Sequence, residues 1–276
     1  MRKLLLLLTI ITSMLSATAQ PGAAKPLKKV MTLTMPRTAD GDMPGTRGAC
    51  VAWHPLQKKY YAAMAGNMGY PLGVYDEGGK KLSSDDLNCE IDTRGLWYNP
   101  QAKKIQGNGY DDNGWFSYAL NTKGIPESAD VFMEGMNQPN SQSVGAYFPA
   151  KQEILFLNNG YVSFYTMEDG LSNNSVQIQW GRTKADGKAE EEGDEAETPE
   201  DYNYSTVVFT GIKGSELGFL NVTEKQVELY SIAEGFMTKK LKLPEEAPMN
   251  TSFNFAYTNG MFWLFDMETR IWTAYK

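Results

Sequence analysis

Ala52-Trp53-His54-Pro55, Trp97-Tyr98-Asn99-Pro100 and Tyr147-Phe148-Pro149 are copies of one phrase: an aromatic-rich apolar segment that ends at a proline turn. Looser copies follow at Val207-Val208-Phe209 and Phe253-Asn254-Phe255. After each phrase come a second apolar segment, a polar turn and a third segment. Short strands recurring every roughly 45 to 60 residues form the pattern of a β-propeller, whose blades bury their faces against one another.

Each repeat reads as a blade of four antiparallel strands, a to d from the axis to the rim. Blade one takes 49–53, 59–65 and 72–76, with a short outer strand near 81–83. Blade two takes 95–99, 104–107, 115–120 and 128–132; blade three takes 144–148, 153–158, 161–167 and 175–180. Blade four takes 205–210, 216–221, 226–232 and 238–243. Blade five has only 252–257, 261–266 and 270–275 before the chain ends. The alternating segment 27–35 belongs to no blade, and pairing it beside 270–275 would close the ring and remove its open edge.

Strand composition agrees with blades covered on both sides. Ile154-Leu155-Phe156-Leu157 and Met261-Phe262-Trp263-Leu264-Phe265 are apolar on both faces rather than alternating. Asn108-Gly109, Asn113-Gly114, Asn159-Gly160 and Asn259-Gly260 supply turn chemistry, because Asn and Gly tolerate the positive φ of tight hairpins. The fold class expected is all-β, a five-bladed propeller occupying residues 20–276 as a single domain.

Residues 1–19 have the form of a bacterial signal peptide: Arg2 and Lys3, an apolar run over 4–11, then Ala17-Thr18-Ala19. The run is too short to span a bilayer, and no Cys at the cleavage site offers a lipid anchor. The expectation is export to the periplasm or beyond the cell. Export permits a disulfide between the two cysteines, Cys50 and Cys89, with two separate buried thiols as the alternative.

Charge narrows the partners. Without Arg2 and Lys3, 24 basic residues face 33 acidic ones. Nine of those carboxylates lie in 186–201, so 185–201 reads as a solvated, disordered acidic loop and the remainder is nearly neutral. No basic stripe is present to displace counterions, which excludes nucleic acid as a natural partner. One His and two Cys cannot furnish a zinc site, and the acidic loop lacks calcium-loop spacing, so no metal and no cofactor is expected.

The starts of the inner strands and the b-to-c turns meet on one face of such a ring, the usual place for a propeller's ligand. The residues mapped there are Arg47, Asn67, Tyr70, Arg94, Asn108, Tyr110, Asp111, Trp115, Asn158 and Tyr161. Asp92, Gln142, Tyr204, Asn254 and Arg270 approach the same face. Gly66-Asn67-Met68-Gly69-Tyr70, Gly107-Asn108-Gly109-Tyr110 and Asn159-Gly160-Tyr161 share a pattern, read either as turns with a packed Tyr or as a ring of amides and phenols. In the second reading the groups suit sugars, with aromatic faces on the apolar side of a ring and amides on its hydroxyls. His54, the one His, falls in an a-to-b turn on the opposite face, where a turn role outweighs a general base.

In repeat length, blade count and closure the chain resembles five-bladed propellers across its mature length. That group includes arabinanase- and levansucrase-like glycosidases, whose funnels hold an acid, a base and a third carboxylate, and lectins that bind sugars without cleaving them. The glycosidase likeness implies Asp92, Asp111 and Glu134 as carboxylates for hydrolysis. The first inner strand, Ala49-Cys50-Val51-Ala52-Trp53, has no Asp where those enzymes place their base. The expectation is therefore a non-catalytic propeller that binds a glycan or peptide. A glycosidase and a protein-interaction scaffold are the alternatives, an exposed apolar patch being the cue for the latter.

Overall fold

The computed structural model describes residues 24–37, 47–187 and 197–276. The signal peptide expected at 1–19 and the centre of the acidic loop lie outside the described residues. Two N-terminal strands, β1 (Lys25–Pro26) and β2 (Lys29–Thr34), precede the first blade. Blade one is β3 (Arg47–His54), β4 (Lys59–Ala65) and β5 (Leu72–Asp76); blade two is β6 (Thr93–Asn99), β7 (Lys104–Gly109), β8 (Trp115–Leu120) and β9 (Pro126–Met133). Blade three is β10 (Ala146–Phe148), β11 (Glu153–Asn158), β12 (Tyr161–Thr166) and β13 (Ser172–Gln177). After β14 (Gln179–Thr183), blade four is β15 (Val208–Phe209), β16 (Leu217–Asn221), β17 (Gln226–Tyr230) and β18 (Phe236–Lys242). Blade five is β19 (Phe255–Thr258), β20 (Met261–Asp266) and β21 (Ile271–Tyr275). The five sheets, mostly antiparallel, stand in a ring: this is a five-bladed β-propeller.

The ring closes as the sequence predicts. β2 takes the outer place in blade five, antiparallel to β21, with Leu33 opposite Trp272. Leu33 and Trp272 are both fully buried, which makes the closing strand part of the core. The clasp also reaches the neighbouring blade, because β1 runs parallel to β18 with Lys25 opposite Leu241. The N-terminal segment thus stitches blade four to blade five.

Two outer strands differ from expectation. In blade one the fourth strand near 81–83 shrinks to one bridge, Tyr75 to Lys81, with Leu82 N–H donating to Val74 O at 2.8 Å. In blade three the outer strand ends at Gln177, and β14 crosses to pair parallel with β18. Trp180 drives that crossing. Its indole packs on Tyr202, Phe219 and Tyr230 of blade four at centroid distances of 4.5, 4.9 and 6.0 Å. Burying a Trp against three aromatic rings outweighs extending an exposed, Asn-rich edge strand.

Apolar side chains fill the spaces between blades rather than a single central core. One group, with Ala62, Phe265 and Trp272, packs around blade one; another, with Leu220, Leu229 and Phe262, lies between blades four and five. Leu157, Tyr202 and Phe219 join blades three and four, and Trp97, Trp115 and Phe156 join blades two and three. This explains why the strands are apolar on both faces.

The disulfide is not formed. Cys50 and Cys89 are separate buried thiols. Cys50 lies on β3 and directs its Sγ to Leu96 O at 3.3 Å, whereas Cys89 sits beside the Tyr70-Pro71 turn, with Pro71 O at 3.5 Å. Both lie near the start of an inner strand, but Cys50 is within β3 whereas Cys89 precedes β6 and packs in the core group around blade one. Burial pushes the Cys50 thiol up to about 11 and the Cys89 thiol up to about 12.

Candidate functional site: a charged funnel beside a polar cleft

The inner strands begin on one face of the ring, and two of them carry an Arg-Gly pair there: Arg47-Gly48 opens β3, and Arg94-Gly95 follows Thr93 at the start of β6. The strands draw together here. A Cβ on Gly95 would lie 2.6 Å from Gly145 O and 2.7 Å from Gly145 N, so glycine permits the backbones of blades two and three to touch. Val144 and Thr206 form a parallel bridge between blades three and four. The axis narrows, and polar side chains at the strand starts are forced together.

At the centre of this cluster, Asp92 holds Arg94 with both carboxylate oxygens, receiving Nη1 at 2.5 Å and Nη2 at 3.2 Å. Asp92 Oδ1 also accepts the Gly66 N–H at 2.8 Å. Arg94 is 2% exposed, its guanidinium 4.7 Å from the centre of the Tyr110 ring. Arg47 stands beside it, over the Phe253 ring at 4.0 Å. Gln142 joins the two: its Oε1 accepts Arg47 Nη2 at 2.9 Å and Arg94 Nε at 3.1 Å. Asn140 fixes the loop by accepting the Gln142 N–H at 2.9 Å. Burial, then the neighbouring Arg94, lower the pKa of Arg47, while Tyr204, Asp92 and Tyr70 oppose that shift.

Gln142 also belongs to a cleft of about 850 Å³ between blades three and four. Its walls are polar: Asn140, Ser143, Asn158, Tyr161, Thr198, Tyr204 and Ser205, with Glu197 among them. Asn158 and Tyr161 face each other across the Asn159-Gly160 turn, where Asn159 has φ 45° and Gly160 φ 79°. Tyr204 is well exposed, presenting its ring to solvent. A volume near 850 Å³ lies inside the roughly 300–1,000 Å³ range of small-ligand sites.

The structure therefore brings together Arg47, Arg94, Tyr110 and Asp92, places Tyr70 nearby, and puts Asn158 and Tyr161 in the adjoining cleft. Other sequence candidates have different occupations. Asn67 is exposed and accepts the Gly69 N–H within its own turn. Asn108 is fully buried and clasps two blades, donating to Gln138 Oε1 and Ser143 O and accepting from Gly145 N–H. Trp115 has no exposed surface and belongs to the core between blades two and three. Asp111 is exposed, starts a 3-10 turn with φ 52°, and bonds through its backbone to Ser141 O.

Of the carboxylates named for hydrolysis, Asp92 is committed to Arg94 and Gly66. Glu134 is exposed just beyond β9, the outer strand of blade two, where its carbonyl receives Asn137 Nδ2. Arg270 is buried, donating Nη2 to Pro36 O at 2.8 Å. Asn254 pairs with Gly48, its Oδ1 accepting Gly48 N–H at 2.7 Å and its own N–H donating to Gly48 O at 3.1 Å. Asn203 performs the same service for blade five, donating to Asn250 O and Phe253 O. Asn203 and Gln138 were missed because nothing local separates a clasp from an ordinary turn residue.

The opposite face carries a second opening. An axial channel of about 270 Å³ is lined by all five inner strands, including Trp53, Trp97, Tyr147, Phe209 and Tyr257. His54 lies at that end, buried between Tyr61 and Tyr98 and accepting the Gln57 N–H through Nδ1. Its turn role is the one expected. Among the described residues no group of three metal-ligating side chains gathers, and no helix is long and apolar enough to cross a membrane.

Comparison with solved structures finds likenesses of fold at low sequence identity. It aligns with a glutaminyl cyclase of Myxococcus xanthus at TM-score 0.51 and 10% identity, over 93% of this chain and 98% of that one. The likeness is one of fold. The Cps50 (Swd1) β-propeller domain of Myceliophteria thermophila aligns at TM-score 0.46 and 9% identity, over 91% and 99% of the two chains. An auxiliary nutrient binding protein of Bacteroides ovatus aligns at 0.43 and 13%, over 83% of this chain and 59% of that one. No protein-family profile matches the chain, and no curated protein matches it by sequence.

Proposed function

We propose that this chain is an exported, non-catalytic propeller that binds a saccharide in the cleft between blades three and four, beside the Arg47–Asp92–Arg94 cluster. The observation that supports it most is the wall of that cleft. Asn140, Asn158, Ser143 and Ser205 offer amides and hydroxyls, while Tyr161 and Tyr204 offer aromatic faces. A sugar needs both kinds of group, one for its hydroxyls and one for its C–H face. Asp92 weighs against hydrolysis: a carboxylate already engaged by Arg94 and Gly66 N–H is a poor general base.

A glycan array probed with the purified protein tests this reading. Tyr161→Ala and Tyr204→Ala are expected to weaken any glycan signal at least tenfold while leaving the melting temperature within a few degrees. Capture of peptides but no glycan would replace the saccharide reading with a peptide one. Release of reducing sugar that Asp92→Asn abolishes would restore the hydrolase.

A further inference from the structure

Among the described residues, the cluster of Arg47, Arg94 and Asp92 carries one more positive charge than negative. Arg94 is neutralised by the two oxygens of Asp92. Among the described residues Arg47 has no carboxylate partner; its protein bond is from Nη2 to a neutral amide, Gln142 Oε1. Its Nε is buried with no acceptor. Both facts are unfavourable as they stand. A half-buried guanidinium beside a second arginine loses hydration and meets like-charge repulsion, which is why its pKa is lowered. A buried N–H without an acceptor adds the desolvation penalty of a lost hydrogen bond.

An anion at the solvent-facing edge of the guanidinium would offset the unbalanced charge, while the enclosed Nε stays out of its reach. Guanidinium presents its N–H groups as a planar fork matching a carboxylate, and such paired contacts are the stronger, orienting kind of hydrogen bond. Arg47 stands one side chain from the cleft, because Gln142, which accepts its Nη2, is part of the cleft wall. Glu197, the acid in the cleft wall, is exposed, so water screens it far more than the half-buried Arg47.

We propose that the saccharide bound here is acidic, a uronic or sialic acid unit whose carboxylate pairs with Arg47 while its hydroxyls meet the amides of the cleft. This inference rests on the saccharide reading and adds the charge of the ligand to it. Asp92 keeps a neighbouring cation from doubling the charge, so the site is selective for a single negative group. Phe253 beneath the guanidinium holds its plane and excludes water from one side.

The test is calorimetric titration with matched pairs: oligogalacturonate, oligoglucuronate and sialyl-lactose, each beside its carboxyl-reduced counterpart. The acidic member is expected to bind at least tenfold tighter, about 1.4 kcal/mol, with affinity falling as salt rises. Arg47→Gln should erase that preference, Arg47→Lys should restore part of it, and Tyr204→Phe, at an exposed position, serves as the variant least able to disturb folding. Thermal unfolding of each variant separates lost binding from lost structure. Equal binding of acidic and reduced members, unaffected by Arg47→Gln, would overturn the charge inference and leave the saccharide reading standing. Binding of sulfated but not carboxylated glycans would also overturn it. If no saccharide binds but an acidic peptide does, both readings fall together.

Discussion

Asp92 shows how one side chain can carry a site and a fold at once. Its two oxygens hold the buried Arg94, and its Oδ1 also fixes the Gly66 turn. Removing one partner of such a pair strands the other charge away from water, which costs more than the pair itself contributes. Asp92→Asn is therefore expected to cost about 2 kcal/mol in urea unfolding, less than a fully buried pair because Asp92 retains some contact with solvent. The double variant Asp92→Asn, Arg94→Gln should recover part of that loss. The two thiols allow a second residue-scale test. Both folded values lie above the ordinary 9.0, so folding favours the neutral thiol. Their contribution is complete below pH 9 and fades as pH rises through 11 to 12, where ionisation favours the unfolded chain. Native protein at pH 8 should leave both thiols unlabelled by an aromatic disulfide reagent, and urea should expose two equivalents. At this scale the sequence was only partly legible. Arg47, Arg94 and Tyr110 could be placed on one face, but Asn108 and Trp115 could not be told from surface residues. Their burial depends on where a neighbouring blade ends.

Strands were more legible than single side chains because their signal is repeated. β4, β5, β8, β11 and β20 occupy the residues that hydrophobic pattern and Asn-Gly turns predict. The rim was less so. β14 leaves blade three for blade four because of Trp180, whose three aromatic partners are distant in sequence. The closing strand β2 was readable because blade five visibly lacked a member. It also makes a prediction: Leu33→Ala removes a fully buried side chain packed opposite Trp272 and should cost about 2–5 kcal/mol. The loss should appear in the single transition of the whole ring, with tryptophan fluorescence and far-ultraviolet circular dichroism coinciding. A separate early transition confined to blade five would contradict that.

Across the whole molecule, the ring separates two different surfaces. One end gathers charge and amides at the strand starts; the other opens as a narrow aromatic channel. The repeat made the architecture readable, since each blade restates it. The site could not be read in the same way, because it depends on where the blades differ. Arginine is the first or second residue of two inner strands, and valine, serine and asparagine stand near the starts of the others, so a symmetric scaffold acquires one polar, charged sector. The stitch between the two chain ends has a further consequence, in time rather than space. Leu33 precedes blade one and Trp272 lies in the last strand of blade five, so the clasp joins partners that stand on either side of four whole blades. Such non-local pairing is slow to form. The ring cannot lock before the last strand of blade five has been made.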